Sequence, residues 1–413
     1  MSIIIKNIDC LVTCEGSHKK TKEEMNDAKI IDNGYIVINN DIITEVGTGD
    51  GYNKYLSENY TIIDGKGKTV TPGLVDPHTH LVYSGSRERE LPLKLNKVGY
   101  IEILNSGGGI LSTVDSTRRA SFEQLVEESK ARLDIMLNHG TTTVESKSGY
   151  GLDLETEAKI LNVNKELNKI HPADVVSTFM GAHAIPKEYV EKRAEFIKVI
   201  KDMIPYIKEN NLAEFIDCFC EEGVFTTEEC REILSLGREH GLIPKIHADE
   251  VESVGGAELA GEIKAISAEH LIAASDEGIK ALADNGVVAV LLPSTAFYLM
   301  LGRFARAREM IDKGVCVALA TDCNPGTSPT ESMQTVMTFA SFGMRMFPEE
   351  IINAMTINAA ASMNREKEIG SIEVGKKADI VIFNAKNLNY LIYHFGINSV
   401  YKVIKNGNIV VEN

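Results

Sequence analysis

The two ends of the chain share one pattern, in which short apolar segments alternate with turn residues. Apolar and β-branched residues are separated by Asn-Gly, Gly-Asp-Gly and Gly-Lys-Gly sequences, a pattern typical of β-hairpins. The segments are SIIIKNIDCLVTC, NGYIVINNDIITEVGTGDG and YTIIDGKGKTVTPG near the start, and GKKADIVIFNAK and VYKVIKNGNIVVEN near the end. We therefore predict a small β-sandwich domain formed by residues 1–70 together with residues 370–413.

In the middle of the chain, strand-like apolar runs alternate with amphipathic helical segments such as SFEQLVEESKARLDIMLNHG. The runs are GLVDPHTHL, TTTVESKSGY, VVSTFMGAHAIP, EFIDCFCEEGVF, IPKIHADE, AISAEHLIAA, VVAVLLPSTAF and VCVALATDCNPG. Eight β/α units are the signature of a (β/α)8 barrel, so we predict an α/β protein with a TIM-type barrel over residues 71–369. A doubly wound open sheet would normally carry a glycine-rich turn after its first strand, and none is found there.

Ionisable side chains collect at the carboxyl-terminal ends of these predicted strands. They are His78, His80, Glu145, His183, His247, His270 and Asp322. In a (β/α)8 barrel the active site is built at that end of the strands. The sequence therefore predicts that the chemistry lies on one face of the barrel.

The pair His78 and His80 is the first candidate for metal binding, because residues two apart on a strand point to the same side. On its own the pair is a weak signal, since a strand histidine is more often a hydrogen-bonded structural residue. His247 and Asp322, at the ends of two other predicted strands, strengthen it. Three imidazoles and one carboxylate suit Zn²⁺ or Fe.

A proton acceptor is needed beside such an ion, because a bound metal lowers the pKa of its water towards neutrality. Glu250 lies three residues after His247, on the loop that follows the strand, and His270 ends the next predicted strand. Taken alone, Glu250 would be interpreted as an ordinary surface glutamate. Beside a metal ligand at the barrel mouth, we expect Glu250 to be catalytic, with His270 in support.

The formal net charge of −16 over 413 residues argues against nucleic acid or an anionic membrane as a partner, because both are bound through basic patches. The first residues lack a signal-peptide pattern, and no run of about 18 apolar residues occurs, so we expect a cytoplasmic protein. The seven cysteines match no zinc-binding spacing and are expected to be reduced and mostly buried.

Several segments together resemble the amidohydrolase superfamily. They are GKTVTPGLVDPHTHL, the strand-borne His247 and His270, ATDCNPG with Asp322, and INAAASM followed by GSIEVGKKADIVIF. Others are similar to the branch that hydrolyses the ring amide of 4-imidazolone-5-propanoate to N-formimidoyl-L-glutamate in histidine degradation. These are SRERE, NSGGGILSTVDSTR, VESKSGYGLD, MGAHAIP, KIHADE and TDCNPGTS. The resemblance extends from about residue 60 to residue 383.

The resemblance implies a metal-dependent hydrolase that acts on a small substrate and water. The implied ligands of one Zn²⁺ or Fe ion are His78, His80, His247 and Asp322. The implied catalytic residues are Glu250 and His270. The implied substrate contacts are Arg87, Tyr150, His183, Glu250, Asn324, Gly326 and Thr327. Arg87 also suits the role chemically, because its planar guanidinium can bind the propionate carboxylate through two parallel hydrogen bonds.

A single ion is expected because two-metal amidohydrolases usually carry a carboxylated lysine at the end of a mid-barrel strand. The fourth predicted strand, EFIDCFCEEGVF, contains no lysine, and Lys147 on the second strand is a less suitable substitute.

Two other functions remain as alternatives. A deaminase of heteroaromatic bases would use almost the same metal and proton-handling residues, but it has little need for Arg87 and the anion-receptive TDCNPGTS loop. A non-catalytic relative would typically have lost ligands, whereas all four positions are present. Barrels of this type often pair, but no segment identifies an interface, so a homodimer and a monomer both remain open.

Overall fold

A computed structural model describes residues 2–56, 59–96 and 108–413. Most of the glycine-rich motif NSGGG, including Gly107, lies outside the described residues. The strands are β1 Ser2–Ile8, β2 Cys10–Val12, β3 Ile30–Ile31, β4 Gly34–Asn39, β5 Ile42–Thr48, β6 Thr61–Asp64, β7 Thr69–Pro72, β8 Leu74–Thr79, β9 Thr141–Lys147, β10 Asp174–Ala182, β11 Phe215–Cys220, β12 Ile243–Ala248, β13 Ser267–His270, β14 Val288–Leu291, β15 Cys316–Leu319, β16 Ile380–Phe383, β17 Val400–Lys405 and β18 Asn408–Glu412.

The α-helices of the described residues connect or follow these strands. They are α1 Leu91–Leu95, α2 Ile110–Arg119, α3 Phe122–Asn138, α4 Leu154–Ile170, α5 Arg193–Glu209, α6 Thr227–Glu239, α7 Gly256–Glu262, α8 Asp276–Asn285, α9 Pro293–Tyr298, α10 Ala307–Lys313, α11 Met333–Met344, α12 Pro348–Ala354, α13 Ile357–Ala361 and α14 Leu388–Tyr393. Helix α3 occupies the predicted amphipathic segment, and its first turn is capped by Ser121, whose side chain accepts a hydrogen bond from the Gln124 amide. Within the described ranges, no helix has the length and apolar character needed to cross a membrane.

The strands from β8 to β15 form one parallel sheet in sequence order, as a (β/α)8 barrel requires. A parallel bridge between Thr79 and Cys323 joins the first of these strands to the segment after the last one. The bridge is flanked by two backbone hydrogen bonds, from the Asp322 amide to the His78 carbonyl at 3.0 Å and from the His80 amide to the Cys323 carbonyl at 2.9 Å. These bonds close the ring, and the predicted TIM-type barrel is confirmed.

The barrel strands begin where the apolar pattern predicts, but several end earlier. The run VVAVLLPSTAF contains a strand only as far as Leu291, and α9 begins at Pro293. Similarly, β13 ends at His270, where the backbone turns into the left-handed region with φ of 69°. Beyond Leu291 the chain turns into α9, which places the hydroxyl of Thr295 against Asp322 at the barrel mouth.

Strands from both ends of the chain form two further sheets. One has the order β5-β4-β1-β6, and the other has the order β18-β17-β16-β7-β2-β3. An apolar cluster contains buried residues of both sheets, including Ile5 and Ile36 from the first and Val70, Ile380 and Ile404 from the second. The two termini are therefore packed together through one aliphatic core.

Lys405 connects the terminal strands to the barrel. Its buried ammonium lies 2.6 Å from Asp379 in the carboxyl-terminal segment and 2.7 Å from Asp174 at the start of β10. Replacing Lys405 with methionine should lower the free energy of unfolding by about 3 kcal/mol, because the buried Asp379 loses its partner. Chemical denaturation measures this loss. The exposed Lys367→Met is the control and should leave stability within about 0.5 kcal/mol of the parent protein.

Candidate metal and catalytic site

The four side chains predicted to bind a metal come together at the carboxyl-terminal end of the barrel. Asp322 Oδ1 lies 3.3 Å from His78 Nε2 and 3.8 Å from His80 Nε2. The ring centre of His247 is 4.5 Å from that of His78 and 5.6 Å from that of His80. All four side chains are buried. Residues from three different strands or strand ends therefore converge on one small volume.

Closure of the barrel determines where Asp322 lies. The residue follows β15, and its backbone adopts a left-handed conformation with φ of 55°, which is uncommon for a residue other than glycine. The hydrogen bond from its amide to the His78 carbonyl fixes this turn against β8. The carboxylate is oriented by Thr295, whose hydroxyl donates to Asp322 Oδ2 at 2.6 Å.

Two further carboxylates orient the histidines. Glu269 accepts a hydrogen bond from His78 Nδ1, and Asp217 Oδ2 accepts one from His247 Nδ1 at 3.0 Å. The Nε2 atoms of both rings are buried and have no hydrogen-bond partner among the described residues. Leaving a buried acceptor unpaired costs about 1 to 3 kcal/mol, so these atoms fit a site built for a cation. A histidine whose other nitrogen is held by a carboxylate is also the usual arrangement at metal centres.

His270 lies close to the same atoms. Its ring centre is 5.2 Å from that of His247, and the ligand atoms of His78, His247 and His270 all lie within 4.8 Å of one another. The group His78, His80 and Asp322 meets the same limit. Burial is the main cause that lowers the pKa values of His78, His80 and His270 well below the usual range. These imidazoles are therefore neutral, which is the form that binds metals.

Glu250 is buried beside this cluster, with its carboxylate 3.7 Å from His270 Nε2. Burial, assisted by the charges of Asp322 and Glu221, raises the pKa of Glu250 to about 8. The sequence places Glu250 on the loop after β12, and the structure brings it to His270 as expected from that position. A carboxyl with a pKa near neutrality can both accept and donate a proton.

Arg87 lies against the loop after β15. A Cβ added at Gly326 would be 1.9 Å from Arg87 Nη1, so only glycine leaves room for the guanidinium. One edge of the guanidinium is already engaged, because Nε and Nη2 donate to Glu90 at 2.8 and 2.9 Å. The expected pairing with a carboxylate can therefore use the edge that contains Nη1. Lys94 also reaches this loop, donating to the Gly326 carbonyl at 2.8 Å.

The predicted contacts Asn324 and Thr327 belong to the same loop. Asn324 Oδ1 accepts hydrogen bonds from the Gly326 and Thr327 amides, both at 2.8 Å. Its Nδ2 donates to the Asp322 carbonyl at 2.7 Å. Asn324 thus shapes the loop that carries Asp322 at one end and faces Arg87 at the other.

Tyr150 and His183 form an aromatic wall next to the ligands. The His183 ring stacks on His80 with centres 4.6 Å apart, and the Tyr150 ring lies 5.4 Å from His183. His183 Nδ1 donates to the Gly149 carbonyl at 3.0 Å. A Cβ at Gly149 would lie 2.6 Å from that nitrogen, and φ is 112°, so this position requires glycine.

Sequence reasoning did not identify several side chains that support the site. Asp217, Glu269 and Thr295 orient the candidate ligands, whereas Glu90 and Lys94 contact Arg87 and the loop beside it. The available signal was the presence of a carboxylate inside otherwise apolar strand runs, in FIDCFC and SAEH.

Comparison with known proteins gives the family. The sequence model of the amidohydrolase family matches residues 69–410. Imidazolonepropionases from Alkaliphilus metalliredigens (strain QYMF) and Alkaliphilus oremlandii (strain OhILAs) are 55% and 56% identical to this chain, and both alignments cover 100% of the chain and 98% of the relative.

Solved structures agree on the fold. Guanine deaminase from E. coli superposes with a TM-score of 0.76 at 16% identity, covering 100% of this chain and 99% of that one. A zinc-bound adenosine deaminase from Xanthomonas campestris gives a TM-score of 0.72 at 17% identity, with coverage of 99% and 93%. At such low identity these two proteins support the barrel architecture alone. The family match and the full-length relatives show that the chain belongs to the amidohydrolase family, in its imidazolonepropionase branch.

Proposed function

We propose that the protein hydrolyses the ring amide of 4-imidazolone-5-propanoate to N-formimidoyl-L-glutamate in histidine degradation, with a water molecule activated by one metal ion. The observation that carries this function is the convergence of His78, His80, His247 and Asp322 beside the buried carboxyl of Glu250. The imidazolonepropionases that match the whole chain support the substrate, and they do not favour the deaminase alternative.

The proposed ligands of the ion are His78, His80, His247 and Asp322. Three nitrogens and one oxygen suit either Zn²⁺ or Fe, and His270 lies close enough to assist. When bound, the ion supplies a Lewis acid that polarises the ring carbonyl and lowers the pKa of water.

Glu250 and His270 are the proposed proton-handling residues. Glu250 takes the proton from the attacking water and delivers it to the ring nitrogen that leaves when the amide bond breaks. In the metal-free chain, burial raises the pKa of Glu250 to about 8, so this carboxyl is not held permanently in the charged form. His270, 3.7 Å away, orients Glu250 or the substrate carbonyl.

The proposed substrate contacts are Arg87, Tyr150, His183, Glu250, Asn324, Gly326 and Thr327. Arg87 binds the propionate carboxylate through its free edge, with Glu90 fixing the opposite edge. Tyr150 and His183 form an aromatic wall for the ring of the substrate. The loop with Asn324, Gly326 and Thr327 closes the side next to Arg87.

Replacing Arg87 with alanine should raise KM about tenfold to a hundredfold with a smaller change in kcat, because the charge-assisted bonds to the carboxylate contribute in ground and transition states alike. Arg87→Lys should give an intermediate KM, since it keeps the charge but loses the planar pair of donors. The control Arg89→Ala removes an exposed arginine two residues away. An unchanged KM in folded Arg87→Ala would contradict the assignment.

The function is tested with purified protein and freshly generated 4-imidazolone-5-propanoate. Formation of N-formimidoyl-L-glutamate is expected, and elemental analysis of the same sample should give about one zinc or iron ion per chain. Release of ammonia from guanine or adenosine without turnover of the imidazolone would instead favour the deaminase function.

We also propose a division of the chain into two domains, a cellular location and an oligomeric state. The two terminal sheets, which share an aliphatic core, form a small β-sandwich domain of residues 1–70 and 370–413 beside a catalytic barrel of residues 71–369. We place the enzyme in the cytoplasm, with small molecules rather than nucleic acid or membranes as partners, and propose a homodimer because barrels of this type often pair.

A further inference from the structure

Five charged side chains are buried together between the barrel strands next to the candidate ligands. They are Glu145, Lys147, Asp217, Lys245 and Glu269, and we call them the buried charge cluster. Lys245 lies two residues before His247 on β12, so it points to the same side of the strand, one layer deeper in the barrel. The proposed reaction gives none of these five residues contact with the substrate.

Lys147 is at the centre of the cluster. Its Nζ lies 2.6 Å from Glu145 Oε1, 2.8 Å from Asp217 Oδ2 and 3.2 Å from Glu269 Oε2. The ammonium donates a hydrogen bond to Glu145 Oε1 and forms ion pairs with the carboxylates of Asp217 and Glu269. Burial alone would lower the pKa of Lys147, but the charges of Asp217, Glu145 and Glu269 raise it above its usual value, so the side chain stays charged.

The same carboxylates hold the metal-binding histidines. Glu269 accepts a hydrogen bond from His78 Nδ1, and Asp217 accepts one from His247 Nδ1. Each of these two carboxylates therefore lies between the Lys147 ammonium and one of the histidine rings. The ligand atoms of Asp217, His247 and Glu269 also lie within 4.8 Å of one another, which is close enough to hold a cation. Lys147 Nζ already stands beside the Asp217 and Glu269 oxygens of that group.

The net charge of the buried charge cluster indicates that the Lys147 ammonium takes the place of a cation. Three carboxylates face two ammonium groups, which leaves one excess negative charge in a buried volume. Without Lys147 the excess would be two, the charge that a divalent ion neutralises. Carboxylation of Lys147 would add an anion beside three carboxylates, so this lysine is unsuited to bridging two metals in that form.

We propose that the ammonium of Lys147 occupies the position of a second metal ion between Asp217 and Glu269, and thereby restricts the barrel to one ion. The inference rests on the proposed metal site next to it. Lys147 is a positioning residue, since it acts on His78 and His247 through the two carboxylates and does not touch the substrate.

The test compares the metal content of Lys147→Ala with that of the parent protein. Both are made metal-free, loaded with excess Zn²⁺, desalted and measured by elemental analysis, with thermal unfolding recorded before and after loading. The parent protein should retain about one ion per chain, and Lys147→Ala about two, because removal of the side chain leaves space and uncompensated charge. The second ion should also raise the Tm of the variant more than loading raises that of the parent.

Lys245→Ala is the matched control. It removes an equally buried ammonium, 2.6 Å from Glu145 and 3.8 Å from Glu269, but leaves Lys147 in place, so about one ion is expected. Two ions in the parent protein, or one ion in folded Lys147→Ala, would overturn the proposal. If Lys147→Ala folds only when Zn²⁺ is present, the ion replaces the ammonium and the proposal is supported; failure to fold even with Zn²⁺ contradicts it. Metal content and Tm are measured without substrate, so failure of this proposal can be distinguished from failure of the proposed reaction.

Discussion

Replacing Glu250 with glutamine is expected to lower kcat by about 10²-fold to 10⁴-fold, the range over which a positioned acid or base contributes to catalysis. Glutamine has the same shape but cannot take a proton from water or deliver one to the leaving nitrogen. Metal content should stay unchanged, because Glu250 is outside the proposed ligand set. Steady-state kinetics and elemental analysis on one preparation measure both quantities.

The exposed Glu252→Gln, two residues further along the loop, is the control and should keep the parent kcat. Activity of Glu250→Gln within about tenfold of the parent would show that the proton relay is assigned to the wrong residue.

Stability gives an independent view of the same carboxyl. Its pKa is raised by burial from an ordinary 4.5 to about 8 in the folded chain. The contribution of Glu250 is therefore most favourable below the unfolded pKa and is lost as pH rises through about 8. In the metal-free protein, Tm should fall over this range more steeply for the parent than for Glu250→Gln, because glutamine has no charge to bury.

Removal of the metal is the second large effect. Removing the metal with a chelator should lower kcat by about a thousandfold or more, since the ion contributes several kcal/mol of transition-state stabilisation. Activity should return in proportion to added Zn²⁺ or Fe²⁺ and reach its limit near one ion per chain. Circular dichroism of the metal-free sample shows whether the fold is retained. A chelated protein with little metal and full activity would refute the metal-dependent mechanism.

His247→Ala tests the ligand set in the same assay. The variant should lose metal affinity and activity together, because His247 is the proposed ligand on β12 and is already oriented by Asp217. Asp217→Asn should weaken metal binding less, since His247 is retained but its orientation is less firmly fixed. Retention of the ion in folded His247→Ala with unchanged affinity would remove His247 from the site.

The barrel, and the convergence of the four proposed ligand residues at its mouth, could be predicted because their signals are local. Each barrel strand is an apolar run bounded by turn residues, and the HxH pair needs only the two-residue period of a strand. The ends of the strands were less predictable. His270 ends a strand and Asp322 follows one, both with positive φ. Aspartate and histidine are enriched in this conformation, but the sequence does not indicate which of them adopt it.

Most of the supporting residues were missed for a different reason, because their partners lie on other strands of the barrel. The parallel register pairs Phe219 with His247 and leaves Asp217 two residues earlier on β11. From there its carboxylate accepts hydrogen bonds from the amide and Nδ1 of His247, but register is a property of the assembled sheet. Lys147 lies four strands before Glu269 in the chain, and the two side chains meet because the sheet curves into a cylinder. Glu90 is a different case, because it lies only three residues from Arg87, but the sequence SRERE does not show which of its charged side chains pair.

Closure of the ring also determines when a ribosome-bound chain can acquire its ion. The contact between the first and last barrel strands includes a hydrogen bond from the Thr321 hydroxyl to the Asp76 carboxylate, two residues that are 245 positions apart in the chain. A nascent chain that ends before Asp322 has the three imidazoles but lacks both the proposed acidic ligand and the strand contact that holds it against His78. Metal loading should therefore come after translation of the last barrel strand, as a late step of maturation.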